Sequence, residues 1–443
     1  MRKAFFGDDL LLYSDSAREI YDRVKDLPIV DYHCHLDPRM IAENASFSNI
    51  GALWLAGDHY KWRAMRLYGI DEYYITGKAD DREKFRKYAQ VVPSLIGNPL
   101  YYWTHMELAQ IFDIHLPLNP DTADEIFDRA GEKLKNMRVQ DLLAHFGVTY
   151  IATTDDPVDD LRYHGVYGKT TVAPTFRPDK VFTLDETYLE TLGRASETDV
   201  STLDGLLSAL KKRLDYFVSK GCRITDHGFE RFPSLYLGVV EAEDAYLRRA
   251  TLSPEEKEGL FGFLLTFLMR EYKKRDLTVQ LHFGVTRNVN PETFRAIGVD
   301  SGFDVMSDPP SPKALIGFLS RIPDEERPRI LLYTLNDAGL SSLATVSGAF
   351  RNVRMGAAWW FNDNVSGIRK NLLTVSEYAL LGNSTGMLTD SRSFSSYARF
   401  DFFRRILADF IGEYVENGEY DAESAAALAE KICYTNAKEM IEP

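Results

Sequence analysis

Eight short apolar runs recur along the chain, and each is followed by residues with helical spacing. They occupy residues 29–35, 148–155, 171–177, 222–227, 277–282, 329–336, 353–360 and 387–392. Apolar runs of this length that alternate with helical segments are typical of parallel β-strands covered by helices. Eight of them predict an α/β fold, a distorted (β/α)8 TIM barrel. We expect a single metal-dependent barrel domain over residues 1–443.

A long connection separates the first two predicted strands. Residues 38–146 are rich in Trp, Tyr, Leu and charged residues with helical spacing, and they contain no low-complexity stretch. A long connection of this kind is more often a binding element than a spacer. We therefore predict a helical insertion over the mouth of the barrel.

Polar and ionisable residues cluster at the carboxyl ends of the predicted strands. They are His33, His35, Asp155, Arg177, Asp226, His227, His282, Asn336, Asp390 and Arg392. Parallel barrels build their active sites at this face. Because an apolar core alone would not require such clustering, we expect an active site there.

Two histidines at the end of the first run predict a metal centre. His33 and His35 are two residues apart, so a strand would turn both to one side and Cys34 to the other. Asp390 ends the eighth run, which neighbours the first in a closed barrel, and its carboxylate can ligate a metal or take a proton. We predict one divalent metal, and histidine and carboxylate ligands suit Zn, Mn, Fe or Co. The alternative is a pair of solvated histidines and a helix-capping aspartate.

Two further histidines belong to the predicted mouth. His282 is either a fourth ligand or substrate contact, or a buried histidine with satisfied hydrogen bonds. His227 follows Asp226, which suggests an imidazole oriented for a role in the site. A centre with two metals is disfavoured, because hydrolytic barrels of that type usually carry a lysine on strand four and a histidine on strand six, and the corresponding runs have neither.

Composition limits the partners. The formal net charge is -14 at pH 7, a field that repels nucleic acid and anionic membranes, so we expect neither as a partner. No stretch approaches the ~20 apolar residues of a membrane span. The chain has 3 cysteines, which are far apart and fit a reducing cytoplasm rather than a disulfide framework.

Two arginines in this acidic chain indicate an anionic ligand. Arg177 ends the third run, and Arg392 lies two residues beyond Asp390 on the same side of its strand. The guanidinium fork matches a carboxylate. A structural salt bridge is the alternative for each arginine.

The predicted insertion and the seventh run contribute aromatic and acid–base groups. His59 and Tyr60 stand among several cations within ten residues, which suggests an acid–base pair delivered over the mouth. An exposed amphipathic helix would explain the same residues. Trp360, beside Trp359, could form an apolar wall that faces a sugar, or pack in the core.

Taken together, these motifs resemble the uronate isomerase (glucuronate isomerase) family, a divergent branch of the amidohydrolase superfamily. The resemblance runs from residue 31 to about residue 436. It is carried by the strings His33-Cys34-His35, Asp58-His59-Tyr60-Lys61-Trp62-Arg63, Thr175-Phe176-Arg177-Pro178-Asp179-Lys180, Thr225-Asp226-His227-Gly228, Leu281-His282-Phe283-Gly284, Ala358-Trp359-Trp360-Phe361-Asn362-Asp363 and Thr389-Asp390-Ser391-Arg392-Ser393.

The resemblance implies a distorted (β/α)8 barrel with one divalent metal, with Zn2+ expected first. It implies reversible conversion of D-glucuronate to D-fructuronate and of D-galacturonate to D-tagaturonate, by proton transfer from C2 to C1 through a cis-enediol. The residues expected to act are, for the metal, His33, His35 and Asp390; for catalysis, Asp390, His59, Tyr60 and Arg392; and for substrate binding, Arg177, Arg392, His282, His227 and Trp360.

Two other functions fit the same residues less well. A mononuclear hydrolase or decarboxylase would use the metal but would need neither His59-Tyr60 nor the paired arginines. A non-catalytic binder of acidic sugars would not need so many ionisable strand ends. The expected partner is a small uronic acid, the expected location is the cytoplasm, and a closed homo-oligomer is common for such enzymes.

Overall fold

The computed structural model describes residues 4–442. Its strands are β1 (Ile29–Asp31), β2 (Val148–Ala152), β3 (Gly165–Tyr167), β4 (Thr170–Ala173), β5 (Thr175–Phe176), β6 (Ile224–Phe229), β7 (Thr278–Phe283), β8 (Val285–Thr286), β9 (Val305–Met306), β10 (Arg329–Thr334) and β11 (Val353–Met355).

Helices make up most of the remaining structure. The α-helices are α1 (Asp15–Val24), α2 (Pro38–Ala42), α3 (Ile50–Leu55), α4 (His59–Tyr68), α5 (Asp81–Val91), α6 (Pro99–Phe112), α7 (Ala123–Leu134), α8 (Val139–His145), α9 (Glu186–Ser196), α10 (Leu203–Ser219), α11 (Val239–Leu247), α12 (Pro254–Lys274), α13 (Pro291–Ile297), α14 (Pro312–Leu319), α15 (Leu340–Ala349), α16 (Val365–Tyr378), α17 (Ala398–Glu416), α18 (Ala422–Glu430) and α19 (Asn436–Ile441). Short 3-10 turns lie at Glu72–Tyr74, Val92–Ser94, Asp179–Thr183, Arg249–Thr251, Asp337–Gly339, Trp360–Asn362 and Leu381–Asn383, and a π-helical turn at Lys431–Thr435.

The strands form two mostly parallel sheets and one small ribbon. The first sheet has the order β1-β2-β4-β3 and the second the order β11-β10-β7-β6-β5, while β8 and β9 pair alone. Among the strand pairs formed by residues 4–442, only β3–β4 and β8–β9 are antiparallel. The predicted third strand is split between the two sheets at Pro174, which has no N–H to donate. A bridge between Asp155 and Phe176 keeps the sheets adjacent there.

The eighth predicted strand is where the structure differs from the sequence prediction. Within the described residues 4–442, no strand is formed at 387–392, and the sheets do not close into one continuous ladder. This run nevertheless hydrogen-bonds to the chain at β1, since Asp390 N donates to the His33 carbonyl (3.1 Å) and His35 N to the Ser391 carbonyl (2.9 Å). The left-handed backbone of Asp390 (φ 45°) interrupts the extended conformation that a strand requires.

Helices α2 to α8 lie between β1 and β2, so the long connection is helical. Tertiary packing, rather than one long helix, orders them, because their buried faces contribute to a core shared with α1 and α17. His59 and Tyr60 open α4, where Asp58 accepts hydrogen bonds from the N–H groups of Tyr60 and Lys61 and caps the helix.

The side chains between the strands form a separate buried cluster. It contains Val30, Tyr150, Ala173, Ile224 and Leu331 from five different strands of both sheets. Among residues 4–442, none of the helices combines the length and the apolar content that crossing a bilayer requires.

A buried carboxylate holds the eighth run against β1. Asp31 accepts hydrogen bonds from Thr389 N (3.0 Å) and Thr389 Oγ1 (2.6 Å), and burial raises the pKa of Asp31 to about 6. We expect Thr389→Val to lower the free energy of unfolding by about 1–3 kcal/mol, because the buried carboxylate loses a donor. Urea unfolding checks this. Thr345→Val, the same change on the exposed side of α15, is the control, and equal stability of the two variants would contradict the expectation.

Candidate functional site

One cavity of about 430 Å³ gathers most of the predicted site residues. The residues lining it include His33, His35, His59, Arg177, His282, Trp360, Asp390 and Arg392, together with Asp179, Arg287, Asp300 and Trp359. His33 and His35 follow β1, while His282 lies near the end of β7. The strand ends therefore converge, as the sequence analysis predicted.

The three predicted metal ligands face one another in this cavity. Asp390 Oδ1 lies 3.2 Å from His33 Nε2 and 3.1 Å from His35 Nε2. The other carboxylate oxygen, Oδ2, accepts a hydrogen bond from Trp359 Nε1 at 2.9 Å, which fixes the plane of the carboxylate. The positive φ of Asp390 aims its side chain at both imidazoles and is a strained conformation for a non-glycine residue.

The protonation states of Asp390 and His35 suit metal ligation. Burial would lower the pKa of His33, but Asp226 and Asp390 raise it, so a bound metal would have to displace the proton that they favour. Burial alone would raise the pKa of Asp390, but hydrogen bonds with His33 and His35 outweigh it and hold that pKa well below its usual range. Burial lowers the pKa of His35 to about 4, so this imidazole is neutral at pH 7. Carboxylate oxygens and neutral imidazoles are the forms that bind divalent metals such as Zn2+ or Mn2+. The set therefore fits one divalent ion, with its three donor atoms within 4.8 Å of one another.

A second buried carboxylate, Asp226 on β6, lies behind the first group. Its Oδ1 lies 2.6 Å from His282 Nδ1, its Oδ2 lies 2.9 Å from Arg177 Nη1, and His33 Nδ1 lies 3.9 Å away. Burial would raise its pKa, but Arg177 and the two histidines keep it well below the usual range. His33, Asp226 and His282 could also hold a metal by distance. Because Asp226 is already paired with Arg177, we regard it as a carboxylate that orients the two imidazoles.

His227 is not among the residues that line the cavity, so its predicted role as a substrate contact gains no support from the geometry. Its ring is fully buried, with Nδ1 3.1 Å from Asp179 Oδ1 and Nε2 3.1 Å from the Tyr272 hydroxyl. Neighbouring residues of a strand point to opposite faces, so Asp226 faces His282 while His227 faces away. Strand alternation alone could have selected Asp226, which the sequence analysis treated only as a strand-end residue that orients His227.

Arg177 lies in the cavity, but its charge is already compensated. Nη1 pairs with Asp226, and Nε donates to Asp179 Oδ2 at 2.9 Å. Gly228 leaves room for the guanidinium, since a Cβ at that position would collide with Arg177 Nη2. Two carboxylates leave Arg177 with little net charge for a bound anion. The structure thus supports a polar contact between Arg177 and a bound ligand more than an ion pair with the carboxylate of the ligand.

Arg392 is the arginine with the weaker compensation. Its Nη1 lies 3.3 Å from His59 Nδ1, and its Nη2 donates to Asp300 Oδ2 at 2.9 Å. Burial and the adjacent Arg392 lower the pKa of His59, so the imidazole is neutral at pH 7. The sequence analysis did not identify Asp300 and Arg287 as site residues, because they lie outside the eight predicted strands.

Tyr60 lies beside the cavity rather than in it. Its ring packs near Trp103 and Trp360, with centroid distances of 6.0 and 6.4 Å, and the Arg399 guanidinium lies 5.4 Å from its centroid. Tyr60 lines an adjoining cavity of about 360 Å³, and His59 and Trp360 border both. Burial raises the pKa of Tyr60 well above its usual value, so the phenol is neutral.

This arrangement can be compared with known proteins. The family model described as glucuronate isomerase matches residues 2–441. The chain belongs to the glucuronate isomerase family. Members of this family are isomerases, and the similarity covers the helical connection as well as the strands.

Two curated members of the family are similar over the whole chain. The uronate isomerase of Shouchella clausii is 43% identical, over 98% of each chain. The uronate isomerase of Caldanaerobacter subterraneus is 42% identical, over 99% of each chain.

Two solved glucuronate isomerase family structures share the fold. The uronate isomerase of Thermotoga maritima superposes with a TM-score of 0.96 and 34% identity, covering 99% of this chain and 100% of its own. The glucuronate isomerase of Caulobacter crescentus gives a TM-score of 0.93 and 30% identity, covering 98% of this chain and 96% of its own.

The candidate metal centre can be tested without any assay of turnover. We expect His35→Ala to reduce the divalent metal retained after purification at least about tenfold, because one of three ligand atoms is removed. Metal content measured by mass spectrometry checks this. His145→Ala, on the exposed end of α8, is the matched control and should retain the metal content of the parent. Equal metal content in both variants would exclude His35 as a ligand.

Proposed function

We propose that this member of the family interconverts D-glucuronate with D-fructuronate and D-galacturonate with D-tagaturonate. The observation that carries the proposal is one cavity that joins the His33–His35–Asp390 group to Arg392 and to the neutral imidazole of His59. A sugar acid needs these three elements in reach of one another: an anchor for its oxygens, a cation for its carboxylate and a carrier for its protons.

We propose that the two sheets are the halves of a distorted (β/α)8 barrel. The buried cluster that joins residues of β1, β2, β4, β6 and β10 with Leu388 supports this, because one interior is filled from both sheets. The helical connection would then lie at the barrel mouth, since His59 at the start of α4 borders the same cavity as the strand ends. A homo-oligomer remains a prediction.

One divalent ion, with zinc as the first expectation, would be held by His33, His35 and Asp390. When bound, such an ion polarises a sugar oxygen as a Lewis acid and helps to orient the substrate. His282 borders the cavity with a buried Nε2 that has no hydrogen-bond partner, which supports its role as a substrate contact.

The remaining roles follow from charge and position. Arg392 would hold the substrate carboxylate, and Trp360 would pack against the sugar. Asp390, ionised and in the cavity, would take the proton from C2 and return it to C1 through a cis-enediol. Tyr60 is a less suitable base, because its phenol is neutral and lies in the adjoining cavity. His59 would move the proton between the C1 and C2 oxygens, a task that suits a neutral imidazole next to a cation.

We propose the cytoplasm as the location, since Cys34, Cys222 and Cys433 are all free and buried.

Proton NMR of the protein with D-glucuronate in D2O tests the proposed activity. Ketose signals should appear, with deuterium exchanged at C1 or C2 to the extent that Asp390 exchanges its proton with solvent. The same run with D-galacturonate is the second arm. If neither sugar changes, the isomerase proposal fails and the mononuclear hydrolase or decarboxylase becomes the better assignment.

Arg392→Met tests the site of the substrate carboxylate. We expect KM for D-glucuronate to rise roughly 30-fold, which corresponds to about 2 kcal/mol for one charged hydrogen-bonding partner. Steady-state kinetics check this. Arg351→Met, at an exposed position outside the cavity, is the control for loss of one positive charge. A KM close to that of this control would remove Arg392 from carboxylate binding.

A further inference from the structure

Residues 285–306, which we name the Asp300 segment, run from the end of β7 to the mouth of the site. They comprise the short ribbon of β8 and β9 and the helix α13. Asp300, like Gly298 and Gly302, has a left-handed backbone (φ 55°), so the chain turns sharply at this point.

The Asp300 segment is bound by hydrogen bonds and packing to α4, the helix that begins with His59. Arg63 Nη1 on α4 donates to the carbonyls of Gly302 and Asp304, both at 3.0 Å. The Arg66 guanidinium lies 4.4 Å from the centroid of the Phe303 ring. The approach is close, because a Cβ on Gly302 would lie 2.9 Å from the His59 carbonyl oxygen. These contacts hold the position of the backbone around Asp300.

The Asp300 carboxylate lies between two arginines inside the cavity. Oδ2 is 2.9 Å from Arg392 Nη2, and Oδ1 is 3.6 Å from Arg287 Nη1. The carboxylate side chain is 45% exposed, so it can return to water at little cost. Asp304 differs, since its side chain is 4% exposed, and it accepts a hydrogen bond from Asn288 N at 2.8 Å and pairs with Arg287 at 3.2 Å.

We propose that Asp300 is an internal substitute for the substrate carboxylate, and that an incoming uronate displaces it from Arg392. This inference rests on the proposed function and makes Asp300 a positioning residue that holds Arg392 in place and lowers the affinity of the site for its own substrate. Arg287 stays paired with Asp304 after the exchange. Arg392 alone changes its partner, from the Asp300 carboxylate to that of the substrate.

Asp300→Asn tests the exchange. Asn keeps the size of the side chain and tolerates the left-handed backbone, but it removes the competing charge. We expect KM for D-glucuronate to fall about threefold to tenfold, the range of a partly exposed ion pair, with kcat changed less than about twofold. Glu292→Gln, on the exposed face of α13 in the same segment, is the control for net charge. Asp300→Gly is a second variant compatible with the same backbone.

Binding of unreactive analogues separates this inference from the isomerase proposal. D-glucarate, measured by calorimetry, should bind Asp300→Asn about threefold to tenfold more tightly than it binds the parent, while the affinity of uncharged D-glucitol should not change. An unchanged or weaker affinity of Asp300→Asn for D-glucarate would contradict the proposed exchange. Asp300 would then either have no effect on binding or be required to position Arg392 when the ligand is bound. If Asp300→Asn binds D-glucarate more tightly but no ketose forms from D-glucuronate, the proposed exchange is supported and the isomerase proposal is rejected.

Discussion

The contact between residues 387–392 and β1 is the interaction on which the site depends. Asp31 accepts two hydrogen bonds from Thr389, and Asp390 N donates to the His33 carbonyl. These bonds join segments more than 350 residues apart, and they bring one carboxylate within 3.2 Å of both imidazoles. Without this pairing, the chain would keep two histidines at a strand end but would lack the third ligand.

The electrostatics of the site follow from how its arginines are paired. In a chain with net charge -14, an anionic substrate needs a local cation. Arg177 is held between two carboxylates, the buried Asp226 and the half-buried Asp179, which more than compensate its charge, whereas Arg392 faces one exposed carboxylate and a neutral imidazole. The less compensated of these two arginines is therefore next to His59 and two residues from Asp390. In the proposed mechanism, the group that binds the substrate carboxylate therefore lies beside the groups that move protons.

Sequence reasoning located the parts of the site that depend on local pattern. His33, His35 and Asp390 were predicted together because strand ends in parallel sheets converge. The predicted substrate contact of His227 stays a prediction without support from the cavity lining, and alternation along β6 favours Asp226 instead. The parts that depend on tertiary path were not predictable: the left-handed backbone of Asp390, which prevents an eighth strand, and the Asp300 segment, whose position is set by contacts with α4.

A crystal structure with a divalent metal and D-glucarate, with anomalous differences measured at the edge of the metal, tests the central claim most directly. We predict one anomalous difference peak about 2.0–2.2 Å from His33 Nε2, His35 Nε2 and an Asp390 oxygen, with a carboxylate of D-glucarate bound to Arg392. A peak held instead by Asp226 and His282, or a D-glucarate carboxylate bound away from Arg392, would contradict it.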